Sequence, residues 1–213
     1  QLDSVRFGTN VLEITYDGGV YGLAVEGPAG PELLHARRLV LGTGTSPNVP
    51  VACDGIVDGG GLVLHNAEYL WRKSELQQQR SITIVGSGQS AAEIYYELLQ
   101  EIDVHGYQLN WVTRSGRFFP LEYTKLTLEM TSPDYVDYFY QLPAPTRASL
   151  LKQQNGLYKG INSQLINAIY DLLYVKRLNG AVDTRITTNA ALQQVRDGLD
   201  GLKLTFRHQE QQE

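Results

Sequence analysis

A single cysteine, Cys53, occurs among the 213 residues of the sequence. Without a second cysteine, an internal disulfide and a Cys-x-x-Cys redox pair are excluded, so we expect Cys53 to be an inert thiol. The sequence also lacks long apolar runs, blocks of positive charge and a leader with basic and apolar regions, and its formal net charge is −5. These absences disfavour a membrane span and a nucleic-acid partner, and they predict a soluble, cytoplasmic protein.

The composition that is present, 42% hydrophobic and 19% charged, is typical of a globular chain of one or two domains. Its clearest motif is Gly-Ser-Gly-Gln-Ser-Ala at residues 86–91, directly after a predicted strand, Ser81–Val85. A predicted helix over residues 89–102 and a second predicted strand over 108–113 complete a β-α-β unit. We therefore expect an α/β, Rossmann-like domain with a parallel sheet.

The small residues of this motif have separate roles in binding a dinucleotide. Gly86 allows the tight turn from strand to helix, and Gly88 lets backbone amides approach a pyrophosphate. Ala91 is small enough for the helix to pack closely on the strand. The phosphates are then expected at the N-terminus of the helix.

The end of the second strand indicates which dinucleotide binds. An NAD site offers an acidic residue about 20 positions after the glycines, and this sequence has none there. Arg114 ends the strand instead, and Arg117 follows closely. Guanidinium groups suit a 2′-phosphate, so we expect NADPH; the alternative is that both are ordinary surface arginines.

Short β-like runs flank the nucleotide unit. Residues 11–16, 20–26 and 33–41 predict a small β-meander, whose last run becomes a buried strand at 39–41 and then a Gly/Thr/Pro-rich connection. Near the other end, residues 191–196 and 201–207 predict a hairpin. We thus expect a partial domain over 1–50, a nucleotide-binding domain over 51–190, and a hairpin with a polar tail over 191–213.

Two helices are predicted between the β-α-β unit and the hairpin. The first follows Ser132-Pro133-Asp134, which has the residues of a helix start, and covers 135–142. The second begins at Asn162-Ser163 and ends at Asn179-Gly180. Its apolar face predicts core residues: Leu165, Ile166, Ile169, Leu172 and Leu173.

Longer stretches of the sequence carry a resemblance to a known family. They are residues 86–93, Asn-Trp-Val-Thr-Arg-Ser at 110–115, the stretch from Arg117 to Pro133, and Gly-Leu-Tyr-Lys-Gly-Ile at 156–161. Together they resemble the L-lysine N6-monooxygenase branch of the microbial N-hydroxylating flavin monooxygenases, over most of residues 38–190. The connection Leu-Gly-Thr-Gly-Thr-Ser-Pro at 41–47 is similar to a linker motif of class B flavin monooxygenases.

The resemblance implies an NADPH domain inserted into an FAD domain, with a helical substrate segment around residues 120–180. The FAD fingerprint and the returning C-terminal segment of the family have no counterpart here. We therefore expect a fragment that keeps the nucleotide-binding core but neither retains FAD nor turns over alone. The full-length protein is expected to be a homo-oligomer.

The implied reaction uses NADPH, FAD and O₂ to hydroxylate the terminal amine of lysine or of a diamine, putrescine or cadaverine, for hydroxamate siderophores. The cofactor supplies the difficult chemistry. An amine of this kind has an ordinary pKa of about 10.4, so the protein must bind or create its neutral form. We assign neither a catalytic base nor a metal ligand.

Carried over position by position, the resemblance implies cofactor contacts along the motif and beyond it. Gln89 would face the flavin, and Tyr158 would lie near the cofactor, the alternative for Tyr158 being a core or rim aromatic. The implied cofactor-binding residues are Gly86, Ser87, Gly88, Gln89 and Ser90 for the pyrophosphate and ribose, Arg114 and Arg117 for the 2′-phosphate, Tyr158, and Thr43 and Gly44 at the domain junction.

Two leucines bear on the substrate. Ornithine hydroxylases carry asparagines that help to hold substrate at the places of Leu128 and Leu157, which argues against ornithine and leaves lysine and diamines open. Thr127 and Lys159 complete the candidate substrate contacts, with Glu122 and Lys125 as further polar candidates. For each polar residue the alternative is a solvated or structural side chain.

The sequence is also compatible with two other functions. One is a different flavin-dependent NADPH oxidoreductase, of the ferredoxin- or thioredoxin-reductase kind, against which stand the missing Cys-x-x-Cys and residues 118–133. The other is a non-catalytic module that binds NADPH for regulation.

Overall fold

The computed structural model describes residues 4–54, 56 and 62–211, which belong to two compact units, Gln1–Ser46 and Pro47–Glu213. In the first unit, β1 (Asn10–Asp17), β2 (Val20–Gly27) and β3 (Gly30–Ala36) form an antiparallel sheet in that order. Gly18 and Gly19 between β1 and β2 both have positive φ, which gives a two-residue turn that matches the strand twist. The predicted meander is confirmed.

The predicted buried strand at residues 39–41 is wrong. Strand β3 ends at Ala36, and the chain beyond it has no regular structure, with Val40 93% and Leu41 65% exposed. Ala36 already pairs with Tyr21, the second residue of β2, so β2 ends before it could pair with residues 39–41. An apolar run needs a neighbouring strand before it can become one.

The second unit contains a parallel sheet of β4 (Ser81–Val85), β5 (Gln108–Val112) and β6 (Thr184–Thr187), in the order β4-β5-β6. Helix α2 (Gln89–His105) connects β4 to β5 and ends where Gly106 takes a left-handed conformation. The predicted β-α-β unit is confirmed, although the helix runs one turn further. Strand β6 escaped prediction because Thr-Arg-Ile-Thr is too short and polar to stand out.

The remaining helices of the second unit are α1 (Tyr69–Leu76), α3 (Lys125–Leu128), α4 (Pro133–Gln141), α5 (Ala144–Gln153) and α6 (Ser163–Asn179). Both predicted helix starts are confirmed by their caps. The Ser132 hydroxyl accepts from the Tyr135 amide at 3.2 Å, and the Asn162 side chain accepts from the amides of Gln164 and Leu165.

The predicted hairpin is present as β7 (Ala190–Gly198) and β8 (Gly201–His208), which pair antiparallel. The core of the second unit lies between the parallel sheet and the helices packed on it. Helix α2 contributes five of its buried apolar residues, more than any other element, while β5 adds Leu109 and Trp111, and α6 adds Ile169 and Leu173.

Candidate functional site

The turn after β4 is held to the neighbouring strand through both backbone groups of Gly86. Its amide donates to the Val112 carbonyl at 2.9 Å, and its carbonyl accepts from the Trp111 indole at 2.7 Å. The φ of Gly86 is +141°, and a Cβ built on it would lie 3.6 Å from that of Ala91. The backbone conformation therefore favours glycine at position 86, and Ala91 lies at van der Waals distance from this turn.

Gly88 is the N-cap of α2, and its backbone is extended, with φ −91° and ψ 177°. No side chain caps this end of the helix, and a Cβ on Gly88 would meet no described atom within 4 Å. The first amides of a 17-residue helix thus face open space, at the positive end of the helix dipole. Ser87 is half-buried and Ser90 exposed beside this space. The arrangement suits a phosphate group.

Arg114 and Arg117 follow β5 at the same carboxyl edge of the sheet, and both are exposed. The Arg117 guanidinium lies 4.5 Å from the centre of the Phe119 ring, whereas Arg114 has no ion pair among the described residues. The loop between them is fixed at Ser115, whose carbonyl accepts from the Asn189 amide at 3.0 Å. Arg114 is therefore available for an anion.

The predicted substrate segments meet in a compact backbone arrangement. Pro120 and Ile161 form a parallel bridge, in which the Leu121 amide donates to the Ile161 carbonyl and the Ile161 amide to the Phe119 carbonyl, both at 2.9 Å. A Cβ on Gly160 would lie 2.9 Å from the Leu121 nitrogen and the Phe119 oxygen. Only glycine fits at position 160, where the backbones of two chain segments are in contact.

The individual substrate candidates make mostly local contacts. The Tyr158 hydroxyl donates to the Leu151 carbonyl at 2.6 Å, and the Lys159 ammonium lies 5.7 Å from the Tyr158 ring centre. The Thr127 hydroxyl lies 2.6 Å from that of Thr124, the N-cap of α3. Leu128 is 40% exposed and Leu157 is half-buried. Residues 157–159 directly follow Gly156, whose carbonyl accepts from the Glu122 amide at 2.9 Å, and none of the described hydrogen bonds joins them to Thr127 or Leu128.

Thr43 and Gly44 lie in the first unit, where both are exposed and outside regular structure. Gly44 has φ +68°, a conformation that favours glycine.

Sequence reasoning missed a charged cluster that joins α1 to α2. The Lys73 ammonium donates to Glu97 at 2.6 Å and to Glu101 at 2.9 Å. Hydrogen bonds from Lys73 and Gln77 lower the pKa of Glu101. Burial alone lowers the pKa of Lys73, but its two carboxylate partners outweigh that effect and raise it. The spacing of Glu97 and Glu101 on one helix face was the only signal in the sequence.

Within residues 4–54, 56 and 62–211, no helix is long and apolar enough to cross a membrane. The same residues contain no group of three or more His, Cys, Asp or Glu side chains arranged to hold a metal ion.

Known proteins of one family are similar to this chain along almost its whole length. The sequence profile of a family described as L-lysine 6-monooxygenase/L-ornithine 5-monooxygenase matches residues 1–213. A putrescine N-hydroxylase from Shewanella oneidensis is 53% identical over 99% of the chain and 43% of its own length. Another, from Acinetobacter baumannii, is 46% identical over 98% of the chain and 46% of its own length.

Among solved structures, the cadaverine monooxygenase of desferrioxamine biosynthesis from Erwinia amylovora, bound to FAD, superposes with a TM-score of 0.82. It is 49% identical, over 98% of this chain and 49% of its own. The chain spans less than half the length of each of these relatives.

Proposed function

Because the chain belongs to the L-lysine 6-monooxygenase/L-ornithine 5-monooxygenase family, we propose that it is part of an FAD- and NADPH-dependent enzyme that N-hydroxylates a terminal amine of a diamine. A diamine substrate is supported by the sequence identity of 46–53%, along nearly the whole chain, to proteins named for putrescine or cadaverine. A hydroxylamine product suits hydroxamate siderophores, because its acylation creates two adjacent oxygen ligands for ferric iron.

The described residues fit a dinucleotide phosphate. The helix N-terminus at Gly88 and the uncapped amides that follow it leave room for a phosphate, since no described atom lies within 4 Å of a Cβ built on Gly88. We assign the pyrophosphate to the segment that contains Gly86, Ser87, Gly88, Gln89 and Ser90, and the 2′-phosphate to Arg114 with Arg117. When bound, NADPH supplies reducing equivalents and FAD supplies the oxygen-transfer chemistry.

The described residues do not by themselves fit FAD. They contain one Gly-x-Gly-x-x-Ala turn between a parallel strand and a helix, and we assign that turn to NADPH rather than to FAD. Thr43 and Gly44 stay candidate cofactor contacts from the resemblance alone. In this proposal the rest of FAD recognition belongs to parts of the whole protein outside this chain.

Leu128 and Leu157 support a diamine because they are apolar where the ornithine hydroxylases have asparagines. A diamine has no carboxylate to be hydrogen-bonded, and its methylenes gain from apolar contact. Thr127, Tyr158 and Lys159, which are close to these leucines in the sequence, are the polar candidates. The proposed task of these residues is to place one amine in its neutral form, because an ammonium group has no electron pair to react with oxygen.

The proposal extends to the setting of the whole protein: a cytoplasmic location, O₂ as co-substrate, and assembly into a homo-oligomer.

The test uses the full-length enzyme with FAD, NADPH and O₂, offered putrescine, cadaverine, lysine and ornithine in separate reactions. Mass spectrometry follows a gain of one oxygen in the amine. We expect the gain with a diamine, whereas a gain with lysine alone would overturn the substrate class. NADPH oxidation that yields only peroxide with every amine would favour another flavin oxidoreductase, and no NADPH oxidation would favour a regulatory module.

A further inference from the structure

The side chain of Gln89 crosses from the nucleotide turn to the substrate segment. Gln89 is the first residue of α2, and its Oε1 accepts from the backbone amide of Asn162 at 2.7 Å. Its Nε2 donates to the Glu93 carboxylate at 2.8 Å, one helical turn along. Both ends of the amide group are thus engaged, and Glu93 holds the side chain in the orientation that reaches Asn162.

The bond completes a helix cap that α6 cannot complete from its own sequence. In a capping box, the N-cap side chain accepts from the helix while a Glu or Gln at the third helical position accepts from the amide of the N-cap residue. Asn162 performs the first part, but the third position of α6 is Leu165, which has no acceptor. Gln89 supplies the missing acceptor from a different helix.

Asn162 also directly follows the compact backbone arrangement of the substrate segment. Ile161 is fully buried and bonded to Phe119 and Leu121, and Gly160 contacts the same backbone. The Asn162 amide thus directly follows two residues, Gly160 and Ile161, that contact the backbone of residues 119–121. In the other direction, Gln89 lies among the α2 amides assigned above to the pyrophosphate.

We propose that Gln89 is a positioning residue that couples dinucleotide binding at the turn to the order of residues 156–162. The proposal rests on the function proposed above, since it takes the turn as the NADPH site. Such coupling acts in both directions. If a nucleotide at the turn strengthens the Gln89–Asn162 hydrogen bond, the intact hydrogen bond must raise the affinity for the nucleotide by the same factor. For one neutral hydrogen bond we expect a factor of about five.

Position 162 allows the bond to be removed without substituting a residue of the turn. Asn162→Ala removes the cap side chain but keeps the amide that donates to Gln89. Asn162→Pro removes both, and the φ of −52° at this position suits proline. The proline ring also takes the place of the amide hydrogen next to Gln89 Oε1, so the difference between these two variants reports the loss of the Gln89 bond together with displacement of that side chain. Gln89→Leu breaks the same bond from the other side, in case the proline variant does not fold.

The experiment measures NADP⁺ affinity by titration, and hydrogen–deuterium exchange of residues 156–166, in the full-length enzyme loaded with FAD. We expect NADP⁺ to bind about five-fold more weakly to Asn162→Pro than to Asn162→Ala, and to slow loop exchange in the wild type but not in Gln89→Leu. Equal affinity of the two Asn162 variants, or an unchanged NADP⁺ effect on exchange in Gln89→Leu, would overturn the coupling alone. No NADP⁺ binding to the wild type would overturn the proposed function as well.

Exchanging the side chains of residues 89 and 93 tests whether the hydrogen bonds of Gln89, rather than its size and shape, slow the exchange of the Asn162 amide. In the double variant Gln89→Glu with Glu93→Gln, residue 89 still accepts from Asn162 and residue 93 can donate to it. Without nucleotide, this variant is expected to recover the slow exchange of the Asn162 amide that Gln89→Leu loses. Exchange as fast as in Gln89→Leu would contradict the role of the bond.

Discussion

The antiparallel sheet β1–β3 and the parallel sheet β4–β6 have three strands each, yet they bury very different amounts of apolar side chain. Strand β1 is exposed along its whole length, and Val25 is the one buried apolar residue described in the first unit. In contrast, Leu109, Trp111 and Val112 of β5 are almost completely buried. Local turns are enough to define an antiparallel meander, whereas a parallel sheet depends on the helices that cover it.

The largest expected difference concerns apolar side chains. Leu98 on α2 is fully buried, and Leu12 on β1 is 64% exposed. We expect Leu98→Ala to lower the free energy of unfolding by about 3 kcal/mol, because it leaves a cavity in the core. Leu12→Ala is expected to change it by less than about 0.5 kcal/mol. Urea unfolding of the 213-residue chain, to which these exposures refer, followed by circular dichroism, measures both, and a similar cost for the two would contradict the comparison.

The second largest difference in stability is expected from replacing glycines by alanine. Gly160→Ala places a Cβ 2.9 Å from backbone atoms of residues 119 and 121, while a Cβ on Gly42 in the first unit would meet nothing described within 4 Å. We expect Gly160→Ala to cost about 2 kcal/mol because backbone cannot move aside as a side chain can. Gly42→Ala serves as the matched control and should be neutral. Thermal unfolding compares the two, and equal melting temperatures would show that the segments can separate at no cost.

Each of the two sheets also has an exposed arginine shortly after one of its strands. Arg114 follows β5 in the proposed nucleotide site, and Arg38 follows β3 in the meander, both exposed. Arg114→Ala is expected to weaken NADPH binding about ten-fold and to leave NADH binding nearly unchanged, because only NADPH has the 2′-phosphate. Arg38→Ala removes the same charge and should affect neither. Isothermal titration measures the affinities, and an equal loss of NADPH and NADH affinity in Arg114→Ala would refute the 2′-phosphate role.

The smallest expected effect concerns ion pairs. Lys73 has a 21% exposed side chain and two carboxylate partners, whereas the Arg6–Glu32 pair of the first unit is more than half exposed on both sides. We expect Lys73→Met to destabilise by no more than about 1 kcal/mol near neutral pH, and Arg6→Met by less.

The pH dependence of the Lys73 effect follows from the lowered pKa of Glu101. The stabilisation from a carboxylate of this kind is present above its ordinary pKa and is lost as the pH falls through the lowered value. The difference in melting temperature between wild type and Lys73→Met should therefore shrink between pH 6 and pH 3, roughly the range over which such carboxylates titrate. A difference that grows on acidification would mean that Lys73 does not act through the glutamates.

Much of the nucleotide unit could be predicted, because its signals are local. The strand Ser81–Val85, the turn at Gly86 and Gly88, and the caps at Ser132 and Asn162 each depend on residues within one or two turns of chain. The error at residues 39–41 has the opposite cause. Their apolar character resembles a strand, but a strand also needs a partner, and the pattern of a single segment contains no information about its neighbour.

By itself, the sequence determined the β-α-β unit, the glycine turn and the family, since backbone conformational preferences and motif spacing act along the chain. Only the tertiary structure decided that β6 joins the sheet, that Gly160 contacts the backbone of residues 119–121, and that Gln89 completes the cap of α6. These contacts join residues about 40 to 75 positions apart, and packing rather than local preference selects them, because each requires two segments already folded in place.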